Sequence, residues 1–309
     1  MNTENKSSDF LLLDKGFDKE HSTHCHLALV GNFQSLYYGV FDLINNRLVA
    51  LGDYNFKNVS PEISLNIAGG RNSTEFDIFS SRFKEQVFRS PVVGLKFKSV
   101  SIGLNTEKCT LVPSPLFDEN RKQEIFEFNF SGSVTSANSD FLQEAEIFCL
   151  YEAPESLNEL YKNVFPNVKV AHYSSSLLES LYIENKFKSE LKVYLHFFQN
   201  NQAGKNSFFE IIIFNQGKLL FFNSFYYQEK EDIVYYLLFV LDQLQINPAK
   251  IILTLLGNIQ KSDEAVKLMS EYVKTVEFGK RPGNFEYPST FDELPLHFYY
   301  SLLSHYLYC

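Results

Sequence analysis

The order of elements implied by this chain occurs twice, and that repetition constrains its fold more than any single motif does. Residues 25–104 and 191–258 each read as three short strands, a helix and a fourth strand. In the first stretch Cys25–Val30 leads through a turn at Gly31-Asn32-Phe33-Gln34 into Leu36–Phe41, and Asn45-Asn46 closes a hairpin onto Arg47–Tyr54. Asparagine tolerates the positive φ that such turns require. Phe76, Phe79, Phe83 and Val87 then form a helical stripe behind Asn72 and Glu75, which have capping-box spacing; Pro91 ends it and Val100–Leu104 follows. In the second stretch Leu191–Phe198, Phe208–Phe214 and Lys218–Tyr227 are strands, with a hairpin signal at Asn215-Gln216-Gly217. Ile233, Tyr236, Leu237, Val240, Leu241 and Leu244 recur at helical spacing up to Asn247-Pro248, and Ile251–Leu256 is the last strand.

These stretches predict an α/β fold with mixed sheets (α+β in character), made of two duplicated halves with a β-β-β-α-β core and a cleft between them. The expected division is a loose polar leader at 1–22, a first half at 23–173 and a second at 174–309. Laid over each other, Ile44-Asn45-Asn46-Arg47-Leu48-Val49 matches Phe214-Asn215-Gln216 and Lys218-Leu219-Leu220, with Gly217 inserted. Asp53 then stands opposite Ser224 and Tyr54 opposite Phe225. Between the repeats, Leu111-Val112-Pro113, Glu124–Phe130, Ala145–Tyr151 and Val168–Tyr173 read as strands, and 155–164 and Ser174–Asn185 as helices. A further helix is expected near Ser262–Tyr272, and a buried one at about 295–307.

Composition narrows the function classes. With a formal net charge of −9 over 309 residues, the chain opposes binding to nucleic acid through overall charge. It is 45% hydrophobic, with 31 Phe, 18 Tyr and no Trp, enough for a large, strand-rich core. The polar start MNTENKSSDF has no signal-peptide layout, and no apolar run approaches the ~20 residues of a membrane-spanning helix. Cys25, Cys109, Cys149 and Cys309 are scattered without CxxC spacing, as in a reducing cytoplasm, so a cytoplasmic location is expected.

Three segments carry a specific resemblance: Thr110-Leu111-Val112-Pro113 with Leu116-Phe117, then Gly217-Lys218-Leu219-Leu220-Phe221-Phe222-Asn223-Ser224-Phe225, then Glu231-Asp232-Ile233-Val234-Tyr235-Tyr236-Leu237-Leu238-Phe239-Val240-Leu241. Together they resemble the bacterial family called domain of unknown function 3822, over nearly all of the chain after about residue 22. That family is similar in fold to the actin-like ATPases, whose two halves have ribonuclease-H-like topology. The resemblance implies an Asp at the end of the first strand of each half, with Gly two residues on, to handle metal and attacking water, and glycine-rich turns that bring backbone N–H groups to the phosphates. Here Gly31 and Ser35 fit the first turn, but Leu29 stands at the Asp position. The second turn, His196–Gly204, has no Asp before its glycine. Leu and Phe hold neither Mg²⁺ nor water, so hydrolysis by that route is expected to be lost. A remnant nucleotide contact is possible at Gly257-Asn258, where related ATPases carry Gly-Gly beside the adenosine.

Other chemistry has weaker support. Ribonuclease-H-like nucleases need several carboxylates converging on metal, whereas Cys25–Val30 holds none, and Asp42 and Asp53 have no third partner. His21, His24, Cys25 and His26 invite a metal reading, but neighbours along a strand point to opposite faces. Solvent-facing histidines on an edge strand account for the run, and no metal is expected. Ala203-Gly204-Lys205-Asn206-Ser207 echoes a P-loop without its first glycine. Glu229, Glu231 and Asp232 suit a helix N-terminus.

Two functions are therefore expected of this sequence. The first is a non-catalytic actin-like binding or assembly protein with an unidentified protein partner and no cofactor. The alternative is a nucleotide-binding or ATP-using protein in which Gly31, Ser35, Asp53, Gly204, Gly257 and Asn258 line the cleft.

Overall fold

The computed structural model describes residues 10–33, 35–56, 73–106, 108–130, 136–198, 207–283 and 285–308. These fall into two compact units, one comprising Met1–Glu179, Gly283–Glu293 and Leu302–Cys309, the other Ser180–Pro282 and Leu294–Ser301.

In the first unit β1 (Leu11–Leu13), β2 (Cys25–Gly31), β3 (Ser35–Asp42), β4 (Arg47–Asn55), β5 (Ser99–Leu104) and β9 (Lys169–His172) form one sheet in the order β1-β4-β3-β2-β5-β9. The β2–β3–β4 meander is antiparallel, and β5 and β9 add in parallel. Helix α1 (Ser73–Arg89) presents the expected stripe: Phe79, Phe83 and Val87 are buried, and Phe79 meets Phe33 and Phe56 edge-on. Burying each such phenylalanine stabilises the unit by about 1.5–3 kcal/mol. The capping box expected at Asn72 and Glu75 lies outside the described residues.

A smaller antiparallel sheet, β6 (Cys109–Pro113), β8 (Ile147–Glu152) and β7 (Ala137–Leu142), has the order β6-β8-β7. Helix α2 (Lys122–Asn129) packs beside it, where a strand over Glu124–Phe130 is expected from sequence. The alternation Phe126-Phe128-Phe130 imitates a strand. Phe128 is 92% exposed, however, while Phe126 is buried and packs at a tilt against Phe130 one turn later. The pairing of Gln123 with Glu127 and of Asn129 with the Ile125 carbonyl is also helical in spacing. Helices α3 (Glu155–Val164) and α4 (Tyr173–Asn185) follow as expected.

In the second unit β10 (Lys192–Phe197), β11 (Ser207–Asn215), β12 (Lys218–Tyr227), β13 (Ile252–Gly257) and β14 (Thr275–Phe278) form a sheet in the order β12-β11-β10-β13-β14. Its directions match those of β4-β3-β2-β5-β9: two antiparallel pairs, then two parallel. Helix α5 (Lys230–Gln243) covers one face with Ile233, Leu237, Val240 and Leu241, together with α6 (Glu264–Met269). The acidic cluster before α5 is a capping box: Asp232 accepts hydrogen bonds from the Gln228 and Glu229 N–H groups.

Three further expectations are corrected. Within the expected loose leader, Leu11–Leu13 pairs with β4, and Glu20–His24 is a 3-10 turn. β2 is an interior strand, and His26 is buried with its ring nitrogens 2.8 and 2.9 Å from the Ser99 and Ser101 hydroxyls, so it does not face solvent. The last helix, α7, spans Tyr300–Tyr308 because Tyr299 adopts a left-handed conformation (φ 58°) that stops it from extending back to 295.

Candidate functional site

The first phosphate-turn position is built from the β2–β3 junction. Gly31 is needed there, since a Cβ would lie 2.3 Å from the Ser35 carbonyl oxygen. Asn32 closes the turn twice over: its N–H donates to the Ser35 carbonyl (3.0 Å), and its side-chain oxygen accepts from the Ser35 N–H (3.1 Å). The Ser35 N–H is thereby engaged. The Ser35 hydroxyl is fully buried, with no hydrogen-bond partner among the described residues.

Asp53 is diagonal to Ser35 across the β3–β4 pair but is set apart from Gly31. It lies on β4, opposite Tyr37, so that β3 separates it from β2. Its Oδ1 accepts from the Phe10 N–H (2.8 Å), and its own N–H donates to the Phe10 carbonyl (3.0 Å), which fastens the chain leading into β1. A pocket of about 250 Å³ opens nearby, lined by Phe10, Leu11, Tyr38, Tyr54, Arg89 and Pro91 among others, and none of the three expected site residues lines it.

In the second unit Gly257 and Asn258 do sit together, at the end of β13. Gly257 has φ +80°, and a Cβ there would lie 1.9 Å from the Phe197 carbonyl oxygen, so only glycine fits. Its N–H donates to the His297 carbonyl (2.8 Å), while that of Asn258 donates to the Phe197 carbonyl (2.8 Å). Both donors at this turn are satisfied within the unit. Gly204 lies outside the described residues.

The strand positions can be matched by counting register back from each hairpin's closing pair, Asp42–Arg47 and Asn215–Lys218. Both hairpins carry a bulge at the same step, between Val40 and Phe41 and between Ile213 and Phe214. The count brings Leu29 together with Leu195, and both are fully buried. One step on, the pair Val30–Tyr37 corresponds to His196–Glu210. His196 Nδ1 lies 2.8 Å from Glu210 Oε2, and both side chains are buried. Sequence reasoning missed this pair. Its only trace is one polar residue interrupting each of two apolar runs, separated by residues 199–206.

Residues 14–276 match the family described as protein of unknown function, DUF3822. No curated protein matches the chain. Among solved structures, a Bacteroides thetaiotaomicron protein with an actin-like ATPase fold and unknown function is similar at TM-score 0.70 and 18% identity, over 85% of this chain and 93% of that one. The PilM–PilN type IV pilus biogenesis complex is similar at TM-score 0.61 and 11% identity, over 92% and 98%. At these identities the likeness is one of fold, and the fold is that of the actin-like ATPases.

Proposed function

Because the chain belongs to the DUF3822 family and has the actin-like ATPase fold, we propose that it is a non-catalytic binding or assembly protein, a degenerate member of that fold acting on a protein partner in the cytoplasm. One observation carries this reading: buried Leu29 and Leu195 occupy the matched first-strand positions at which the active relatives' Asp is expected. A buried leucine offers no ligand to Mg²⁺ and no acceptor to an attacking water. The engaged N–H groups of Ser35, Gly257 and Asn258 support the same reading, since a phosphate arriving there would have to displace hydrogen bonds already made. Function resides in sites rather than folds, so a shared fold is compatible with lost chemistry. Support for duplication of the two halves, 23–173 and 174–309, comes from their matched strand order and matched bulges.

Partner binding draws support from the edge of the second sheet. β12 is a ten-residue edge strand on which Leu220 and Tyr226 are exposed, and an edge of this kind can take one more extended segment through its backbone groups. Among solved structures of this fold, one is a pilus biogenesis complex. Among the described residues no helix is long and apolar enough to cross a membrane.

Phosphate release from Mg²⁺-ATP by the full chain tests the reading. A rate at the level of buffer is expected; turnover abolished by Gly257→Val would overturn it. The second reading, a nucleotide binder with altered loops, is favoured by one specific observation, the buried Ser35 hydroxyl without a partner at the head of β3. Such a reading requires Mg²⁺-ATP to raise the unfolding temperature and Ser35→Ala to remove the rise.

A further inference from the structure

The small sheet of the first unit brings two cysteines to one place. β6 and β8 pair with Cys109 opposite Tyr151 and Leu111 opposite Cys149, which puts the cysteines on one face, diagonal to each other. Their sulfurs lie 3.0 Å apart, and neither is in a disulfide. His172, the last residue of β9, completes the group: one ligand atom from each of Cys109, Cys149 and His172 lies within 4.8 Å of the other two.

The surroundings prepare His172 for one role. Its Nε2 lies 3.1 Å from the Thr106 carbonyl oxygen. A carbonyl can only accept, so Nε2 carries the hydrogen, and in the neutral ring the lone pair is on Nδ1, where it accepts from the Ser174 backbone N–H at 3.3 Å; an ion bound at Nδ1 takes the place of that long hydrogen bond. Donation of the second ring N–H to a carbonyl is the arrangement that orients histidines bound to metals. Asp140 of β7 holds the backbone at this point: it accepts from the His172 backbone N–H and the Ser175 hydroxyl, each at 2.7 Å, and from the Tyr151 hydroxyl at 3.2 Å.

We propose that Cys109, Cys149 and His172 form a zinc site with two thiolates, one imidazole Nδ1 and a fourth position open to an exchangeable water. Three protein ligands of sulfur and nitrogen type suit Zn²⁺, and a fourth, open position distinguishes such a centre from a closed structural one. Two thiolates neutralise the ion, so the assembled centre carries no net charge into a region where Cys149 and His172 are both buried. Zn–S bonds of about 2.3 Å in a tetrahedron set the sulfurs roughly 3.8 Å apart; the pair must open by less than about 1 Å from its present separation. Cys109 is only half-buried and marks the side from which an ion and its water enter. On binding, each thiol loses its proton to solvent as its sulfur bonds to the metal, and no oxidation is involved.

The test uses the full-length chain, stripped with chelator and titrated with Co²⁺ and then Zn²⁺. The expected result is one equivalent bound, thiolate-to-cobalt charge-transfer absorption in the near ultraviolet that zinc abolishes, and protection of Cys109 from alkylation by zinc. Cys109→Ser and His172→Ala each lower zinc affinity by at least about tenfold, whereas Cys25→Ser leaves it unchanged. Should the buried His172 variant fail to fold, Cys109→Ser and the alkylation readout on the unaltered chain still decide. Absence of the charge-transfer band would overturn the site. So would a Cys109–Cys149 disulfide that forms under mild peroxide at the same rate with and without zinc, which would make the pair a redox couple instead.

Discussion

The two large sheets share strand order, strand direction and the position of a hairpin bulge, yet they solve the same local problems with different residues. In the first, the hairpin loop runs through four residues between Asp42 and Arg47. Asp42 accepts from the N–H groups of Ile44 and Asn45 and from the Asn45 side chain. In the second, the loop is Gln216-Gly217, both with positive φ, a tight turn that needs no side-chain acceptor. The pair next to the matched leucines is Val30–Tyr37 in one sheet and the buried His196–Glu210 in the other. What persists between them is apolar alternation and pairing order, which the core enforces. The polar devices are local and are exchanged wherever each can satisfy its own hydrogen bonds.

The largest expected effect breaks the turn in the second unit. Gly257→Ala combines a strained left-handed backbone with a Cβ driven into the Phe197 carbonyl and should cost about 4 kcal/mol in denaturant unfolding. Gly31→Ala in the first unit meets the Ser35 carbonyl without a left-handed φ and should cost less, about 2 kcal/mol. Comparable losses for the two variants would undo the distinction drawn between these turns.

Next comes the buried pair. Glu210→Ala leaves His196 without its partner and should destabilise by about 3 kcal/mol, whereas His196→Leu combined with Glu210→Met should lose much less, because an apolar pair of similar volume is tolerated at the matched position. A double variant no better than the single would show that the pair is not exchangeable.

A smaller effect separates the units by pH. Burial first, then the charge of Lys169, lowers His26 to about 4; burial first, then His26, lowers His305 to about 3. Folded values below the unfolded 6.5 mean that the unfolded chain binds the extra protons. Stability is therefore fully present above about pH 6.5 and is lost as pH falls towards about 4 and below. Chemical denaturation should show a loss of about 2 kcal/mol from each of the two histidines between pH 7 and 5. His26→Gln should flatten that slope, and an unchanged slope would remove His26 as its source.

The smallest change should be stabilising. Gln216→Asn at φ 51° relieves left-handed strain in the second hairpin and should add about 0.5 kcal/mol. The same gain is not available at the first hairpin, whose left-handed residue is already Asn46.

Much of this architecture was legible because its signals are local. The stripe Phe79–Phe83–Val87, the run at 155–164 and the turn at Asn215–Gly217 all appear where periodicity and turn chemistry place them. Misreadings arose where a tertiary partner decides. Phe126-Phe128-Phe130 imitates a strand until the small sheet buries Phe126, half-buries Phe130 and leaves Phe128 exposed. His26 reads as an edge residue until β5 covers its strand. Leu29, at the position where the proposal expects an Asp, could be read directly. The second match could not, because Leu195 is identified only by register and lies one residue before the turn read from sequence as His196–Gly204. Cys109, Cys149 and His172 were invisible as a group, since strand pairing joins the two cysteines, 40 positions apart, and His172 comes from a strand of the other sheet.

Thermal unfolding of the full chain with and without millimolar Mg²⁺-ATP tests the central claim most directly. A nucleotide present at 100 times its dissociation constant would add about 2.7 kcal/mol and raise the midpoint by several degrees. With buried leucines at the two matched first-strand positions and the Ser35, Gly257 and Asn258 N–H groups already bonded, the midpoint is expected not to move. A rise of several degrees, lost in Ser35→Ala, would contradict the account and make this chain a nucleotide-binding member of its fold.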